Sequence, residues 1–333
     1  MAAGRLGALL LACLIPTLVS ASAAERLGDD PAVHRFIDAM AGRHGFDPSR
    51  LQAVFRTARV DSHVLEAISR PAEAKPWYLY RSIFLTPTRI DKGAKFWRRH
   101  REVLARAAAE YGVDPEFIVA ILGVETRYGD NTGRIRVLDA LSTLAFRYPR
   151  RSTFFLSELE EFLLLTREEA LDPLALRGSY AGAMGLPQFI ASSYRRYAVD
   201  FDGDNVRDLL NNPADSIGSV ANYLKVHGWE SDGDVAVAAT VPAGSELERL
   251  KRGLKPHTRI GAMKAQGLKL ADPVPEGVMG ALIELDAGER TEYWVGLQNF
   301  YTITRYNHSA LYAMAVYQLA QAIRDVYQAT EVR

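Results

Sequence analysis

Cysteine is nearly absent: Cys13 stands alone in 333 residues, which excludes a disulfide-stapled scaffold and a cysteine-ligated zinc site. Charge of one sign is not in excess, since 40 Lys+Arg face 40 Asp+Glu. No bulk field therefore draws the chain to nucleic acid or to an anionic membrane surface. Gly and Pro, at 25 and 15, are too few for a collagenous or low-complexity chain. The seven histidines show no metal-ligand spacing, and no internal repeat is visible. Apolar residues at 48% and charged residues at 24% exclude a mainly disordered chain. The length suits about two domains of roughly 100–200 residues each.

Long apolar runs are missing too, except at the start. Arg5 precedes an apolar stretch from Leu6 to Val19, and Ala21-Ser22-Ala23 follows as an A-x-A site. This predicts a cleaved secretory signal over residues 1–23. The run is 14 residues, short of the ~18–20 that span a bilayer. Leu10-Leu11-Ala12-Cys13 loosely resembles a lipobox, but the apolar run continues past Cys13. Cleavage after Ala23 leaves no cysteine, which fits an oxidising compartment such as a bacterial periplasm.

Residues 25–110 carry helical periodicity, in Val33, Phe36, Ile37 and Met40 and again in Phe96, Trp97, Val103 and Leu104. Between them Lys75 to Arg81, punctuated by prolines, reads as an extended or turn segment. Asp114-Pro115-Glu116 then marks a helix start, as N-cap, first helical residue and dipole-favoured acid. The run from Phe117 to Val124 is apolar nearly all round, so this helix is expected to be buried and to end near Gly129. Helices are expected at 152–165, 187–197, 213–227 and 309–328. From about 231 the pattern changes, and Met279–Leu285 and Thr291–Leu297 read as strands of a small β-containing insert over 231–295.

Glu125 is the most informative residue. It falls at i+8 from Phe117 and i+4 from Ile121, on one face of the buried helix. An acid on an apolar face is costly to ionise unless paired, which suits a general acid. Spacing alone leaves open a structural carboxylate paired with Arg127. Asp130, past the Gly129 break, reads as a turn or cap residue.

The words around Glu125 carry more. Gly123-Val-Glu-Thr-Arg-Tyr-Gly129 resembles the catalytic segment of the lytic murein transglycosylase B family, glycoside hydrolase family 103. Further matches are Tyr148-Pro-Arg-Arg151, Gly178-Ser-Tyr-Ala-Gly-Ala-Met-Gly-Leu-Pro-Gln-Phe189, Gly218-Ser-Val-Ala-Asn-Tyr223, Asn299-Phe-Tyr301 and Arg305-Tyr-Asn-His308. They follow family order through about residues 30–330. The resemblance implies a mainly α (α+β) fold. A helical subdomain (24–110), a lysozyme-like core (111–230), the β insert (231–295) and a C-terminal cleft segment and helix (296–333) would make it up. It also implies cleavage of the β-1,4 bond between N-acetylmuramic acid and N-acetylglucosamine in peptidoglycan, with a 1,6-anhydromuramoyl product and Glu125 as the single acid and base. A hydrolytic muramidase and a non-catalytic peptidoglycan-binding scaffold are the alternatives on the same fold.

A glycan groove needs amides, hydroxyls and aromatic rings. By the resemblance, Ser179 and Gln188 sit beside the acid, with Met184 and Phe189 on the same segment. Tyr223, Tyr306, Asn307, Tyr312 and Tyr80 would line the cleft, and Arg150 and Arg151 would reach the peptide or lactyl side. The glycines at 178, 182 and 185 would allow close approach to a ligand. Asp200-Phe-Asp-Gly-Asp-Asn-Val206 opens like an EF-hand loop, with oxygens from Asp200, Asp202 and Asp204 and the Val206 carbonyl. It departs from that pattern at Asn205, where Gly is usual, and at Asn211, where a bidentate Glu is usual. The resemblance supplies Asp215 as the further ligand, and the implied Ca2+ is structural. No organic cofactor is expected. Implied partners are glycan strands and cell-wall synthesis or remodelling proteins, with the chain a monomer.

Overall fold

A computed structural model describes residues 27–70, 75–245, 247 and 253–331. The candidate signal segment and Cys13 lie outside the described residues.

The helices begin with α1 (Pro31–His44), α2 (Pro48–Arg56), α3 (Ser62–Ile68), α4 (Trp77–Phe84), α5 (Pro87–Arg99), α6 (Arg101–Tyr111) and α7 (Pro115–Thr126). They continue with α8 (Val137–Arg147), α9 (Ser152–Glu168), α10 (Ala191–Tyr197), α11 (Pro213–Val226), α12 (Ile260–Ala265), α13 (Gln298–Tyr306) and α14 (Ala310–Glu331). A short ribbon pairs β1 (Ile135–Arg136) with β2 (Arg177–Gly178). An antiparallel sheet is built from β3 (Ala236–Thr240), β4 (Thr258–Arg259), β5 (Lys269–Leu270), β6 (Met279–Asp286) and β7 (Thr291–Gly296), in the order β4-β6-β7-β3-β5.

The starts of these helices follow from local chemistry. Asp30-Pro31, Asp47-Pro48 and Asn212-Pro213 open α1, α2 and α11, each with the side chain accepting a first-turn N–H and proline at the first helical position. Asp114-Pro115 opens α7 at the expected place, but the Asp114 side chain makes no capping bond. Two expectations are corrected. Lys75 to Arg81 is not extended: from Trp77 the chain is helical, because Trp77 and Tyr80 lie one turn apart and bury together. The helix expected from 187 starts only at Ala191, since Gln188 is left-handed at φ 51° and Phe189 bridges back to Met184.

Three apolar cores result. α7 is buried from Glu116 through Val124 and packs among α5, α6, α11 and α14. Trp97 of α5 stacks on Tyr327 of α14 at 4.2 Å on that side. A second core joins residues 27–64 to α8, α9 and α10. The stretch 24–110 thus sends its first half to the second core and Trp77, Tyr80 and Leu104 to the first. The sheet has both faces covered, by alternation along its strands. Ala281, Ile283 and Leu285 of β6 face the α7 core, whereas Leu282 joins Val237, Val295 and Met263 in a small third core.

Candidate active site

α7 ends in an unusual turn. Arg127 (φ 54°), Tyr128 (φ 62°) and Gly129 (φ 93°) are all left-handed, and only the last is a glycine. The turn is held from several sides. The N–H groups of Arg127 and Tyr128 close on the carbonyls of Gly123 and Leu122 at 3.1 and 3.2 Å. The Thr126 hydroxyl donates to the Leu186 carbonyl at 3.0 Å and accepts the Gly129 N–H at 3.1 Å. The Tyr128 ring enters between α5 and α7, and its hydroxyl donates to the Arg89 carbonyl at 3.2 Å. There is room only because Gly93 and Gly123 lack side chains: a Cβ on either would stand 2.4 Å from the Tyr128 oxygen.

This lock presents Glu125, half-buried in the last turn of α7. Tyr312 of α14 donates its hydroxyl to Glu125 Oε1 at 2.6 Å. Tyr306 stacks on Tyr312 with ring centres 6.3 Å apart and 9° between planes. Phe189 and Tyr223 continue the cluster, at 5.7 and 4.9 Å from Tyr306. Tyr306 packs against both the α7 core and the second core, so the cluster lies on the seam between them. Burial, and then the neighbouring Glu125 carboxylate, push the Tyr306 and Tyr312 hydroxyls far above their ordinary values. Both therefore stay protonated donors at any physiological pH.

The other expected residues differ in their settings. Tyr223 and Tyr306 are present, but their hydroxyls are engaged with the Arg305 carbonyl at 2.6 Å and the Pro187 carbonyl at 2.5 Å; Tyr223 is buried with its face on His227 at 4.0 Å, and Tyr306 is half-buried. Tyr80 is buried against Trp77 and Phe84, close enough to Tyr312 to raise its hydroxyl further. Met184 is fully buried and belongs to the second core. Half-buried Ser179 and Gln188 brace the 178–189 segment. Ser179 Oγ accepts the N–H of Ala183 at 3.0 Å, and Gln188 Nε2 donates to the carbonyls of Thr132 and Gly185 at 3.0 and 2.9 Å. Asn307 follows Tyr306 as the residue closing α13.

Arg150 and Arg151 are exposed on the turn between α8 and α9, with Arg151 over the Phe154 ring at 4.2 Å. The segment's glycines have a different reason from the one expected. What approaches them is protein: a Cβ on Gly178 would meet the Ala183 carbonyl at 2.2 Å, and one on Gly185 the Leu209 carbonyl at 2.2 Å. Asp130 pairs with Lys92 at the surface. Thr126, Tyr128, Gly93 and Arg89 escaped sequence reasoning as site supports. The run Thr126-Arg127-Tyr128-Gly129 was the available signal for the first two.

The acidic loop adopts the turn its sequence suggests, with Gly203 at φ 82° and Asn205 at φ 69°. Carboxylate oxygens of Asp200, Asp202 and Asp204 lie within 4.8 Å of one another. These are hard oxygen donors of the kind calcium takes. Val206 closes the loop, its N–H on Asp204 Oδ1 at 2.8 Å. Asp215 stands apart from the three and is buried. Its two oxygens accept the N–H groups of Phe201 at 2.7 Å and Asp208 at 2.8 Å, bracing the loop from beneath. Burial, more than the nearby Asp202 and Asp200 charges, raises its carboxyl above the ordinary range.

Known proteins resemble this chain in sequence and fold. Residues 28–321 match the family model described as the transglycosylase SLT domain. The membrane-bound lytic murein transglycosylase B of Escherichia coli (strain K12) is 47% identical over 305 residues, covering 89% of this chain and 83% of the relative. The crystal structure of catenated lytic transglycosylase SltB1 from Pseudomonas aeruginosa superposes with a TM-score of 0.86 at 49% identity, over 90% of this chain and 99% of that one. The Escherichia coli lytic transglycosylase Slt35 in complex with calcium gives a TM-score of 0.84 at 46% identity, over 91% and 96%. On its sequence and its fold, the chain belongs to the lytic murein transglycosylase B family.

Proposed function

We propose that this protein is a peptidoglycan lytic transglycosylase in which Glu125 is the only proton-transferring carboxyl. The observation that carries the reading is the Glu125 carboxyl set on the seam between two cores and held at 2.6 Å by a hydroxyl that stays protonated. Glycosidases in general use two carboxylates. Here the neutral Glu125 carboxyl gives its proton to the glycosidic oxygen as the bond from that oxygen to C1 of the muramoyl unit breaks. The muramoyl C6 hydroxyl then bonds to C1, and its proton passes to the Glu125 carboxylate. One bond is lost, one is formed, and no water is consumed. Tyr312 orients the carboxylate, and the half-buried ring of Tyr306, backed by the buried Phe189, supplies apolar contact for a sugar ring. Ser179, Gln188 and Asn307 are the groups for acetamides and hydroxyls, with Arg150 and Arg151 for the lactyl or peptide side.

The test is digestion of purified peptidoglycan by the mature protein and by Glu125→Gln, with mass spectrometry of the products. Muropeptides lighter by one water, from the native protein alone, are expected. Reducing-end products would make the enzyme a muramidase, and no release by a folded native protein would make it a binding scaffold.

Asp200, Asp202 and Asp204 with the Val206 carbonyl would hold a structural calcium ion, with Asp215 as the further candidate. Calcium at a hundred times its dissociation constant should stabilise the fold by about 2.7 kcal/mol. Melting curves with calcium and with chelator should differ, and Asp200→Ala should abolish the difference. Coincident curves for the native protein would remove the ion from this reading. The place of action is the periplasm, reached by the candidate signal. Among the described residues no helix is long and apolar enough to cross a membrane.

A further inference from the structure

A cavity of about 480 Å³ lies beside the β1–β2 ribbon, lined by Arg56, Thr57, Arg59, Arg136, Asp139 and Arg177 among others. Its single carboxylate is already committed. Arg136 bonds both oxygens of Asp139, at 2.9 and 2.6 Å, and also the Thr57 carbonyl. Asp139 further accepts the Arg59 N–H at 2.9 Å. Arg56, Arg59 and Arg177 have no carboxylate partner among the described residues. A lone surface arginine is ordinarily just solvated. These three come from three separate places, the end of α2, the following loop and β2, and converge on one concavity. A cleft lined by one sign of charge concentrates its field on an opposite charge. The guanidinium fork also matches a carboxylate in shape.

Arg177, which lines the cavity, directly precedes the 178–189 segment. Arg177 pairs with Arg136 across the ribbon and precedes Ser179 by two residues, about 7 Å of extended chain. Gly133 packs so closely on this ribbon that a Cβ there would lie 2.1 Å from the Gly178 carbonyl. The closely packed ribbon thus joins the cavity wall at Arg177 to the 178–189 segment. Arg150 and Arg151 stand beyond the opposite end of α8, whose 11 residues span about 16 Å. One carboxylate cannot meet both arginine sets.

We propose that this cavity binds the free carboxylates of a stem peptide, on a muramoyl unit other than the one facing Arg150 and Arg151. The proposal rests on the reading of the protein as a peptidoglycan-cleaving enzyme. A four-residue stem reaches at most about 14 Å, enough to pass from a glycan beside Ser179 to Arg177.

The test combines Arg56→Ala, Arg59→Ala and Arg177→Ala, all at exposed positions, and leaves Arg136 intact because it ties α8 to Thr57. On uncross-linked, peptide-bearing glycan strands, KM should rise about tenfold with kcat unchanged, the sign of lost uniform binding. On the same strands stripped of peptide by an amidase, neither constant should move. An unchanged KM on peptide-bearing strands, or an equal loss on both substrates, overturns the proposal. Arg177→Glu alone should raise KM on peptide-bearing strands more than Arg177→Ala, and an equal effect counts against it. Free stem tetrapeptide should compete with the native enzyme and not with the triple variant. Competition by inorganic phosphate without competition by the peptide would assign the cavity to a phosphate ligand and overturn the proposal. If the native protein releases no anhydro product even from stripped strands, the enzymatic reading has failed. Titration of the tetrapeptide into native and triple-variant protein then still decides the cavity by itself.

Discussion

The two ends of α7 each carry an acid, and the fold treats them in opposite ways. Glu116, in the first turn, lies at the positive end of the helix dipole and meets Arg324 at 3.3 Å. Burial nonetheless lifts its carboxyl above the ordinary range, with Asp114 adding to the rise and Arg324 opposing it. Glu125, in the last turn, lies at the end where the dipole gives a negative charge no support. There it accepts the Tyr312 hydroxyl at 2.6 Å. An acid matched by a cation and a dipole is a structural device. The acid at the other end, beside the tyrosine cluster on the seam, is the one the proposed function uses for proton transfer.

Four substitutions test the difference between the two acids. Glu125→Gln should cut release of anhydro-muropeptides by about 10²- to 10⁴-fold, the usual worth of a positioned acid or base, while leaving the melting temperature in place. Retained activity would make Glu125 a structural acid like Glu116. Tyr312→Phe removes a hydrogen bond to a charged group, worth about 1.5–3 kcal/mol, so kcat should fall about 10- to 100-fold. A loss confined to stability would show that Tyr312 only packs. Gly123→Ala drives a methyl into the Tyr128 ring beneath the acid and should cost about 1–3 kcal/mol in urea unfolding. An unchanged midpoint would mean that the left-handed turn is not locked by that ring.

Glu116→Gln should have the smallest effect, under about 1 kcal/mol, because its partner Arg324 is partly solvated. Its sign with pH is informative. The folded carboxyl is held above its unfolded value, so its contribution is fully present below the ordinary carboxylate range and is lost as pH rises through the raised value. Native stability minus that of Glu116→Gln, followed by thermal melts, should therefore decline as pH rises through that interval. A difference that grows with pH would mean that the Arg324 pair outweighs burial.

Legibility in the sequence followed the range of the interactions. The Asp114-Pro115 pair marked the start of α7 at the right place, because proline at the first helical position acts within one turn. The β6–β7 hairpin was legible from its two apolar runs and the polar turn between them. Lys75 to Arg81 was misread because proline punctuation outweighed a pairing of Trp77 with Tyr80 that has value only once the α7 core exists. The glycines of the 178–189 segment were attributed to ligand approach. Their neighbours, Ala183, Leu141 and Leu209, come close only in the folded chain. Met184 could not be divided between pocket and core from sequence, and the fold buries it entirely.

Residue type and spacing by themselves determined that a carboxyl would stand on the apolar face of a buried helix, that a run of three alternate aspartates would form a tight acidic loop, and which family the motifs resemble. These are matters of helical period, turn chemistry and local order, and each single motif is contained within about a dozen consecutive residues. The tertiary structure alone decided that Tyr312, 187 residues further along, holds Glu125. It also decided that Tyr128 locks the turn through Gly93 and Gly123, and that three arginines from α2, its following loop and β2 surround one cavity. Those contacts join distant segments of chain, and their partners are chosen by the packing of whole cores, which no local pattern encodes.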